Sequence, residues 1–233
     1  MKIYSKYDKH LIAVDCIIFG YDILEKDIKL LVIKRSFEPA QGKWSLAGGF
    51  VNKGERLDDA ANRILYDLTG LKNVYMEQSY CYGDIGRDRG ARVISVSYFA
   101  LIKIQDIDNR LKKENGAHWR SISNLPDLIF DHPEMVARAL DELQRQIRIK
   151  PVGFELLPEK FTLVQLQDLY EAIYRRKVDK RNFRKKILSM ELLQKLDEKE
   201  KETSRKGAFY YRFIPKRYKN FRQKGFYFNL DVS

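Results

Sequence analysis

The residues best suited to a recognisable chemistry form a basic stretch that begins at position 180. Its cationic and amide side chains are Lys180, Arg181, Asn182, Arg184 and Lys185. Arginine can form two hydrogen bonds with the edge of guanine, and asparagine can do the same with adenine. On a helix that lies in the major groove, the first residues of the helix lie nearest the bases. The stretch therefore predicts a surface that recognises double-stranded DNA.

Two helices and a hairpin are expected to position this surface. Thr162 is suited to cap a first helix, and Val178 and Asp179 would form a short turn before the second. Phe183 and Ile187 would turn one face of the second helix toward a core. Stretches 192–196 and 209–213 are typical of strands and enclose a basic loop, and we assign its Arg205 and Lys206 to the DNA surface as a wing.

The distribution of charge agrees with a polyanionic partner. The formal net charge is +12, of which residues 161–233 carry +10 and residues 1–160 carry +2. A concentration of this kind is typical of nucleic-acid binding, whereas the nearly neutral first part suits an enzyme or a binder of small molecules. A solvated basic surface and a module that binds single-stranded RNA remain alternatives.

A second pattern begins at Gly49. Glu55 follows after five residues and Arg63 after seven more, and Gly70 comes after a run with helical period from Leu57 to Thr69. This arrangement resembles the Nudix box, in which three helix glutamates hold divalent metal against a diphosphate.

The resemblance implies a metal site at three positions that hold Ile64, Asp67 and Leu68 in this chain. Three carboxylates at this spacing would share one helix face, but a single one cannot hold a cluster of two or three ions. Glu55 matches the position that usually pairs with the arginine, here Arg63. We therefore expect a Nudix fold kept for its pocket, with no hydrolase activity, metal or cofactor. An active hydrolase with a basic appendage is the alternative.

The surrounding elements predict an α/β fold class. Strand-like stretches flank the helix at 57–69, a closing helix follows Asp131, and two prolines mark a boundary at 151–160. The predicted architecture is a Nudix α/β/α sandwich with a mixed sheet over residues 1–150, a linker at 151–160 and a winged helix-turn-helix domain over 161–233.

The two halves together are similar to the Nudix-related transcriptional regulators. The resemblance rests on the altered box and on the run that starts Phe161-Thr162-Leu163 and ends in the basic helix. It implies a homodimer that binds operator DNA and a Nudix domain that senses a metabolite, and we interpret the chain as a repressor that its effector releases. One branch of this family responds to ADP-ribose and controls NAD metabolism. Another controls sugar use, including arabinose utilisation.

Six side chains are candidates for the effector pocket: Arg35, Trp44, Tyr82, Asp84, Arg92 and His118. An aromatic platform with a few polar groups suits a neutral sugar. Ile64 and Leu68 would make the helix face unfavourable for a polyanion. The expected effector is therefore L-arabinose or another sugar, with ADP-ribose as the alternative, and ordinary packing would also explain each residue.

Composition excludes several other classes. The chain is 44% hydrophobic, which is ample for packed cores, and 33% charged, without an apolar run long enough to span a bilayer. The N-terminus leads into no signal-peptide pattern, so a cytoplasmic protein without a membrane partner is expected. Cys16 and Cys81 lie in apolar or aromatic stretches and are expected to be buried thiols.

Overall fold

The computed structural model describes residues 6–106, 111–201 and 207–223. Its internal contacts separate into two units. The first contains the chain up to Gly20 together with Lys29–Ala139, and the second contains Tyr21–Ile28 and the chain from Leu140 onward. The polypeptide therefore passes from one unit to the other at three points.

Seven strands form one sheet: β1 (Leu11–Asp22), β2 (Asp27–Lys34), β3 (Trp44–Ser45), β4 (Ala47–Phe50), β5 (Glu77–Tyr82), β6 (Val93–Lys103) and β7 (Ala117–Ser121). The main path of the sheet runs β3-β2-β1-β6-β5, while β4 pairs with β1 and β7 pairs with β2. Strand β1 is buried from Ala13 onward, because its apolar run leaves no polar face for solvent. Antiparallel pairing with β4 places Asp15 of β1 opposite Gly48.

Helix α1 (Leu57–Thr69) has the bounds that the helical period predicts. Its buried face, which includes Ile64 and Leu65, belongs to the same core cluster as Val14 of β1. The helix ends at Gly70, whose left-handed backbone (φ 81°) lets its N–H donate to the carbonyl of Tyr66. Burial of this apolar stripe fixes which side of α1 faces the sheet.

Helix α2 (His132–Ile149) follows Asp131, as the sequence predicts. Its buried side chains recur at helical spacing, from Met135 through Ala139 to Leu143 and Ile147. The division into two units falls within this helix, after Ala139.

In the residues that the structure describes, the second unit contains the end of α2, further helices and a small antiparallel sheet. Its elements are β8 (Phe161–Thr162), α3 (Leu163–Tyr174), α4 (Lys180–Ser189), β9 (Leu193–Glu200), β10 (Ala208–Phe213) and α5 (Pro215–Gln223), and the sheet order is β8-β10-β9. The backbone N–H of Gln165 donates to the Thr162 hydroxyl, and the Gln165 side chain accepts from the Thr162 N–H, so α3 starts in a capping box. Asp179 caps α4 by accepting from the backbone N–H of Asn182 at 2.7 Å.

The segment 151–160, which the sequence predicts as a linker, contributes to the core of the second unit. It contains the short 3-10 helix Phe154–Leu156, and the ring of Phe154 stacks on Phe213 at 4.4 Å between centroids.

Strand β9 extends to Glu200, beyond the predicted end at 196, and α5 was not predicted. Cys16 is buried as expected, but the expectation for Cys81 is wrong: the pairing of β5 with β6 has a register shift between Gln78 and Cys81, and Cys81 faces solvent while Tyr82 is buried. In the described part of the chain, no helix has the length and apolarity needed to cross a bilayer.

Candidate functional site

The first unit contains a cavity of about 210 Å³ over the start of β1 and over Gly48 and Gly49 of β4. Loop residues from three separate segments complete its wall, including Arg35, Phe37 and Arg87. An adjoining, more open cavity of about 730 Å³ shares Arg87 with the first and adds the cationic side chains of Lys43 and Arg89. The two cavities together offer room for a ligand larger than a single sugar ring.

Asp15 lies at the floor of the smaller cavity in a buried polar network. Its Oδ2 accepts a hydrogen bond from the Ser95 hydroxyl at 2.6 Å. Its Oδ1 lies 3.6 Å from His132 Nε2. The backbone N–H of Leu46 donates to His132 Nδ1 at 3.1 Å, so the proton of the neutral imidazole is on Nε2, toward Asp15. Burial lowers the pKa of His132 and keeps the ring neutral at neutral pH.

Arg87 links this floor to the start of α2. Its Nε and Nη2 donate to the two carboxylate oxygens of Asp131, each at 2.7 Å. Its Nη2 also lies 3.9 Å from Asp15 Oδ2, and only 5% of the Arg87 side chain is exposed. A bidentate pair of this kind fixes the plane of the guanidinium as well as its position.

Arg35 carries a positive charge into the cavity without a carboxylate partner. Its Nε donates to the carbonyl of Pro39 at 2.7 Å, and the guanidinium lies 4.2 Å from the centroid of the Phe37 ring. Among the residues that the structure describes, no carboxylate forms an ion pair with it. Burial lowers its pKa, because desolvation disfavours the charged form. The remaining donors of Arg35 are therefore available to an anionic ligand.

Three phenylalanines surround the same cavity and remain partly exposed. Phe37 is 45% exposed, Phe50 is 52% exposed and Phe130 is 37% exposed. Aromatic faces at the rim of a pocket are suitable platforms for a planar ring such as a nucleobase. The combination of the remaining guanidinium donors of Arg35 with aromatic platforms suits a ligand that carries both an anionic group and a flat ring.

The helix of the Nudix-like motif has lost the residues that would hold metal. Ile64 is 4% exposed and packs on Gly49, where an added Cβ would lie 3.0 Å from the Ile64 Cδ1. Leu68 is partly buried against the core, and Asp67 is exposed. Within the described ranges, no group of three or more His, Cys, Asp or Glu side chains is placed to hold a metal ion.

The structural part of the motif is intact. Arg63 donates to both carboxylate oxygens of Glu55, at 2.6 and 2.8 Å, and Glu55 also accepts from the backbone N–H of Asn52. These bonds, that from Arg63 above all, lower the pKa of Glu55 to about 2. The expected ion pair is therefore present and holds the loop against α1.

Of the six candidate effector residues, the structure places only Arg35 in the wall of the smaller cavity. Trp44 and His118 pack edge to face at 5.5 Å beside β2. Tyr82 is buried with its ring 5.1 Å from that of Tyr80.

The other two candidates lie in the loop between β5 and β6. Arg92 donates to the backbone carbonyl of Asp84 at 2.9 Å, and both side chains are exposed. Neither lines the smaller cavity. The structure therefore separates residues that the sequence analysis grouped, and their role in ligand binding stays a prediction.

Sequence reasoning missed Asp15, His132 and the three phenylalanines. For Asp15 there was a signal, since a carboxylate in the middle of an otherwise apolar strand requires buried partners. Its partners are distant in sequence, so no spacing pattern could identify them.

The basic helix presents the surface that the sequence predicts. Phe183 and Ile187 of α4 are buried, and the candidate DNA contacts Lys180, Arg181, Asn182, Arg184 and Lys185 are exposed. Tyr170 of α3 packs on Phe183 at 5.6 Å between centroids, which fixes the exposed side of α4. Arg205 and Lys206, the remaining candidates, lie outside the described residues.

The hairpin formed by β9 and β10 adds two lysine side chains whose ammonium groups contact an aromatic ring. The ammonium groups of Lys195 and Lys199 lie 3.6 and 4.5 Å from the centroid of the Phe209 ring. Cation–π contacts at exposed sites contribute only about 0.5–1 kcal/mol each, but they hold both lysines on one side of the hairpin. A hairpin with such a face is suited to contact a phosphate backbone.

Comparison with protein families assigns both parts of the chain. The NUDIX domain family matches residues 9–139, and the NrtR DNA-binding winged helix domain matches residues 153–213. The predicted fold class, a mixed α/β Nudix domain followed by a winged helix, is confirmed by these matches.

Individual proteins agree with this assignment. The ADPR responsive transcriptional repressor NtrR of Acinetobacter baylyi is 30% identical over 213 residues, which cover 90% of this chain and 84% of that protein. The ADP-ribose pyrophosphatase of Methanocaldococcus jannaschii is 34% identical over 139 residues, or 58% of this chain and 76% of the enzyme.

Two solved structures share the fold. Shewanella oneidensis NrtR complexed with a 27mer DNA superposes with a TM-score of 0.75 at 27% identity and covers 94% of this chain and 99% of that one. The Nudix domain of the same protein complexed with ADP ribose gives a TM-score of 0.51 at 28% identity, over 59% and 90% of the two chains. The expectation of L-arabinose finds no support in these comparisons.

Proposed function

We propose that this chain, which belongs to the NrtR-type family of Nudix-related transcriptional regulators, is an operator-binding repressor whose Nudix domain binds ADP-ribose. In this proposal the ligand occupies the cavity beside Arg35, and its binding releases the DNA. The proposal replaces the sugar effector with the alternative that the sequence analysis kept open. It is supported by relatives that respond to or bind ADP-ribose and contact DNA.

The single observation that carries the ligand assignment is the environment of Arg35. A guanidinium without a described carboxylate partner faces a cavity whose rim is aromatic. ADP-ribose has a diphosphate for the guanidinium and an adenine ring for an aromatic face. A neutral pentose would offer no anionic group to the guanidinium of Arg35 and no flat aromatic ring to the phenylalanines.

The apolar α1 side of the pocket does not exclude a polyanion, because the cationic side chains lie on another wall. Ile64 and Leu68 do make the α1 side apolar, and Ile64 is part of the core. The positive charge comes from Arg35 and Arg87, which follow β2 and β5 in the chain. An anion near these loops does not need the α1 carboxylates or a metal.

We also propose that the Nudix domain binds its ligand without hydrolysing it. Positions 64 and 68 carry aliphatic side chains, so the carboxylate set that would hold metal against a diphosphate is incomplete. Similarity to an ADP-ribose pyrophosphatase favours hydrolysis as a second candidate function. Incubation with ADP-ribose and Mg²⁺ separates the two, because hydrolysis would release AMP and binding alone would not.

DNA recognition is assigned to α4 and to the hairpin. The domain division proposed from the sequence, 1–150, 151–160 and 161–233, would leave this basic surface in the last segment. As a homodimer, the protein would present two α4 helices to half-sites whose centres lie about 34–36 Å apart or a multiple of that distance. A repressor of this design would act in the cytoplasm on a palindromic operator.

The proposed function is tested by fluorescence anisotropy with a labelled duplex from the region upstream of the chain's own operon. ADP-ribose should weaken binding of the duplex by roughly 5- to 150-fold, the usual range of coupling between two sites, whereas AMP and L-arabinose should not. Release by L-arabinose alone would restore the sugar interpretation. Equal affinity for all duplexes, with no effect of any ligand, would refute the regulator proposal.

Two pairs of variants assign the sites. Arg35→Gln should weaken ADP-ribose binding about 10- to 100-fold, because a charge-assisted contact is lost, and should leave DNA affinity without ligand unchanged. Its matched control is Arg56→Gln, at a side chain that is 81% exposed. Arg181→Gln should weaken duplex binding and make its salt dependence shallower, while Lys53→Gln, at another exposed cation, should do neither.

A further inference from the structure

Arg87 contacts two elements of the first unit whose chains continue into the second. One is α2, because both oxygens of Asp131 accept from the Arg87 guanidinium. The carbonyl of Asp131 accepts from the backbone N–H of Met135 at 3.1 Å, so Asp131 belongs to the first turn of this helix. The other is β1, through the 3.9 Å approach of Arg87 to Asp15.

Within the second unit, α2 and the turn that follows β1 are each bonded to α3. The side-chain amide of Gln144, on α2, donates to the carbonyl of Ile173 at 2.9 Å. In the turn that follows β1, Lys26 Nζ lies 2.9 Å from Asp168 Oδ2. The contact of α3 with Phe183 then continues the series to α4, the helix that carries Arg181.

We propose that Arg87 transmits ligand binding to the DNA-binding helices by exchanging its partner, from Asp131 to the phosphate of the ligand. This inference rests on the proposed function, because it takes the pocket ligand to be a nucleoside diphosphate sugar. Arg87 lines both adjoining cavities, so a diphosphate placed at Arg35 comes within reach of it. The guanidinium fork fits a phosphate as well as it fits a carboxylate, but it cannot pair fully with both.

The exchange has a consequence for α2. The Asp131 side chain is only 19% exposed, so a carboxylate that loses Arg87 must gain water or another donor. Either adjustment changes the first turn of α2, whose later residues hold α3. DNA would favour the arrangement in which Arg87 and Asp131 are paired, and the ligand would favour the arrangement in which they are apart. By linkage, bound DNA must then weaken the ligand by the same factor as the ligand weakens DNA.

The test is the Asp131→Asn variant of the full-length protein. The amide keeps the shape of the side chain but no longer offers two anionic oxygens, so Arg87 is freed without a ligand. ADP-ribose should then bind more tightly to the DNA-free protein than it binds to the wild type. The factor by which ADP-ribose weakens duplex binding should fall by about tenfold or approach one. The control is Asp141→Asn, which makes the same change at an exposed carboxylate of α2 that lines neither cavity and should leave this factor unchanged.

The outcomes separate this inference from the function on which it rests. If Asp131→Asn keeps the coupling factor of the wild type, the partner exchange is refuted while the ADP-ribose-responsive repressor stands. If ADP-ribose has no effect on duplex binding by the wild type, both fail.

A second variant covers the case in which Asp131→Asn does not fold, as judged by circular dichroism. Arg87→Lys keeps the charge but cannot bond both oxygens of one carboxylate. It should bind the duplex more weakly than the wild type without ligand, because the paired arrangement that DNA favours is weakened, and ADP-ribose should have little further effect on duplex binding. Unchanged coupling in this variant would also refute the exchange.

Discussion

Replacing Gly48 with alanine would place a methyl group against the carboxylate of Asp15. An ideal Cβ on Gly48 lies 2.0 Å from Asp15 Oδ1 and 3.1 Å from its Cγ, and the backbone carbonyl of Val14 is 3.3 Å away. A tolerable contact requires the oxygen to move by about 1 Å in a closely packed region. The antiparallel pairing of β4 with β1 leaves little freedom for the backbone to move instead.

The cost follows from the bonds that Asp15 would lose. Its carboxylate accepts from Ser95 at 2.6 Å and is nearly inaccessible to solvent. Loss of a hydrogen bond to a charged group costs about 1.5–3 kcal/mol, and overpacking adds about 1–3 kcal/mol. We therefore expect destabilisation by about 3–5 kcal/mol, which lowers the Tm of the Nudix domain by about 10 °C.

Thermal unfolding followed by circular dichroism measures this effect, and Gly83→Ala is its matched control. An added Cβ at Gly83 meets no atom within 4 Å, and its backbone is not left-handed. The same chemical change there should shift Tm by less than about 2 °C.

A double-mutant cycle identifies the cause. In an Asp15→Ala background the carboxylate is absent, so Gly48→Ala should cost less than about 1 kcal/mol. An equal cost with and without the carboxylate would show that the steric argument is wrong. So would a Gly48→Ala protein that unfolds at the temperature of the wild type.

Two further predictions concern the Nudix-like helix. Arg63 lowers the folded-state pKa of Glu55 to about 2, so this pair contributes stability above the ordinary pKa of about 4.5 and loses it as the pH falls toward 2. Between these two pH values, the Tm of Glu55→Gln should therefore fall less steeply with decreasing pH than the Tm of the wild type. Identical slopes of Tm against pH would contradict the assignment. Ile64→Glu should destabilise the domain by about 3 kcal/mol or more, because it buries a carboxylate against Gly49. It should not create a Mg²⁺-dependent hydrolase. Mg²⁺-dependent release of AMP from ADP-ribose by a stable Ile64→Glu protein would refute this prediction.

Local patterns in the sequence were sufficient for most secondary structure. The period from Leu57 to Thr69 gave the bounds of α1, because one apolar face and a glycine stop decide a helix without help from distant residues. The same holds for α4, whose capping Asp179 and buried Phe183 lie a few positions apart. The exposed side of α4 could therefore be predicted as the side opposite its buried residues, Phe183 and Ile187.

The ligand cavity could not be predicted in this way. Asp15, Ser95 and His132 meet although 80 or more residues separate Asp15 from its partners. Their proximity depends on the order of the strands in the sheet and on where α2 begins relative to it. The periodicity of neighbouring residues in the sequence does not specify either of these. Aromatic residues in strands, such as Trp44, were attractive candidates because of their type, but the pairing of β3 and β7 with β2 directs Trp44 to His118.

The intact bonding of Glu55 beside a buried Ile64 has a consequence for interpreting motifs. The residues of the box serve two separable purposes: Gly49, Glu55 and Arg63 shape a turn, and positions 64, 67 and 68 supply ligands for a metal ion. Retention of the first set reports only on architecture. A search pattern that gives both sets equal weight could therefore class this chain as a hydrolase because Gly49, Glu55 and Arg63 match. The side chains at positions 64, 67 and 68, on one side of α1, are the ones that distinguish a sensor from an enzyme.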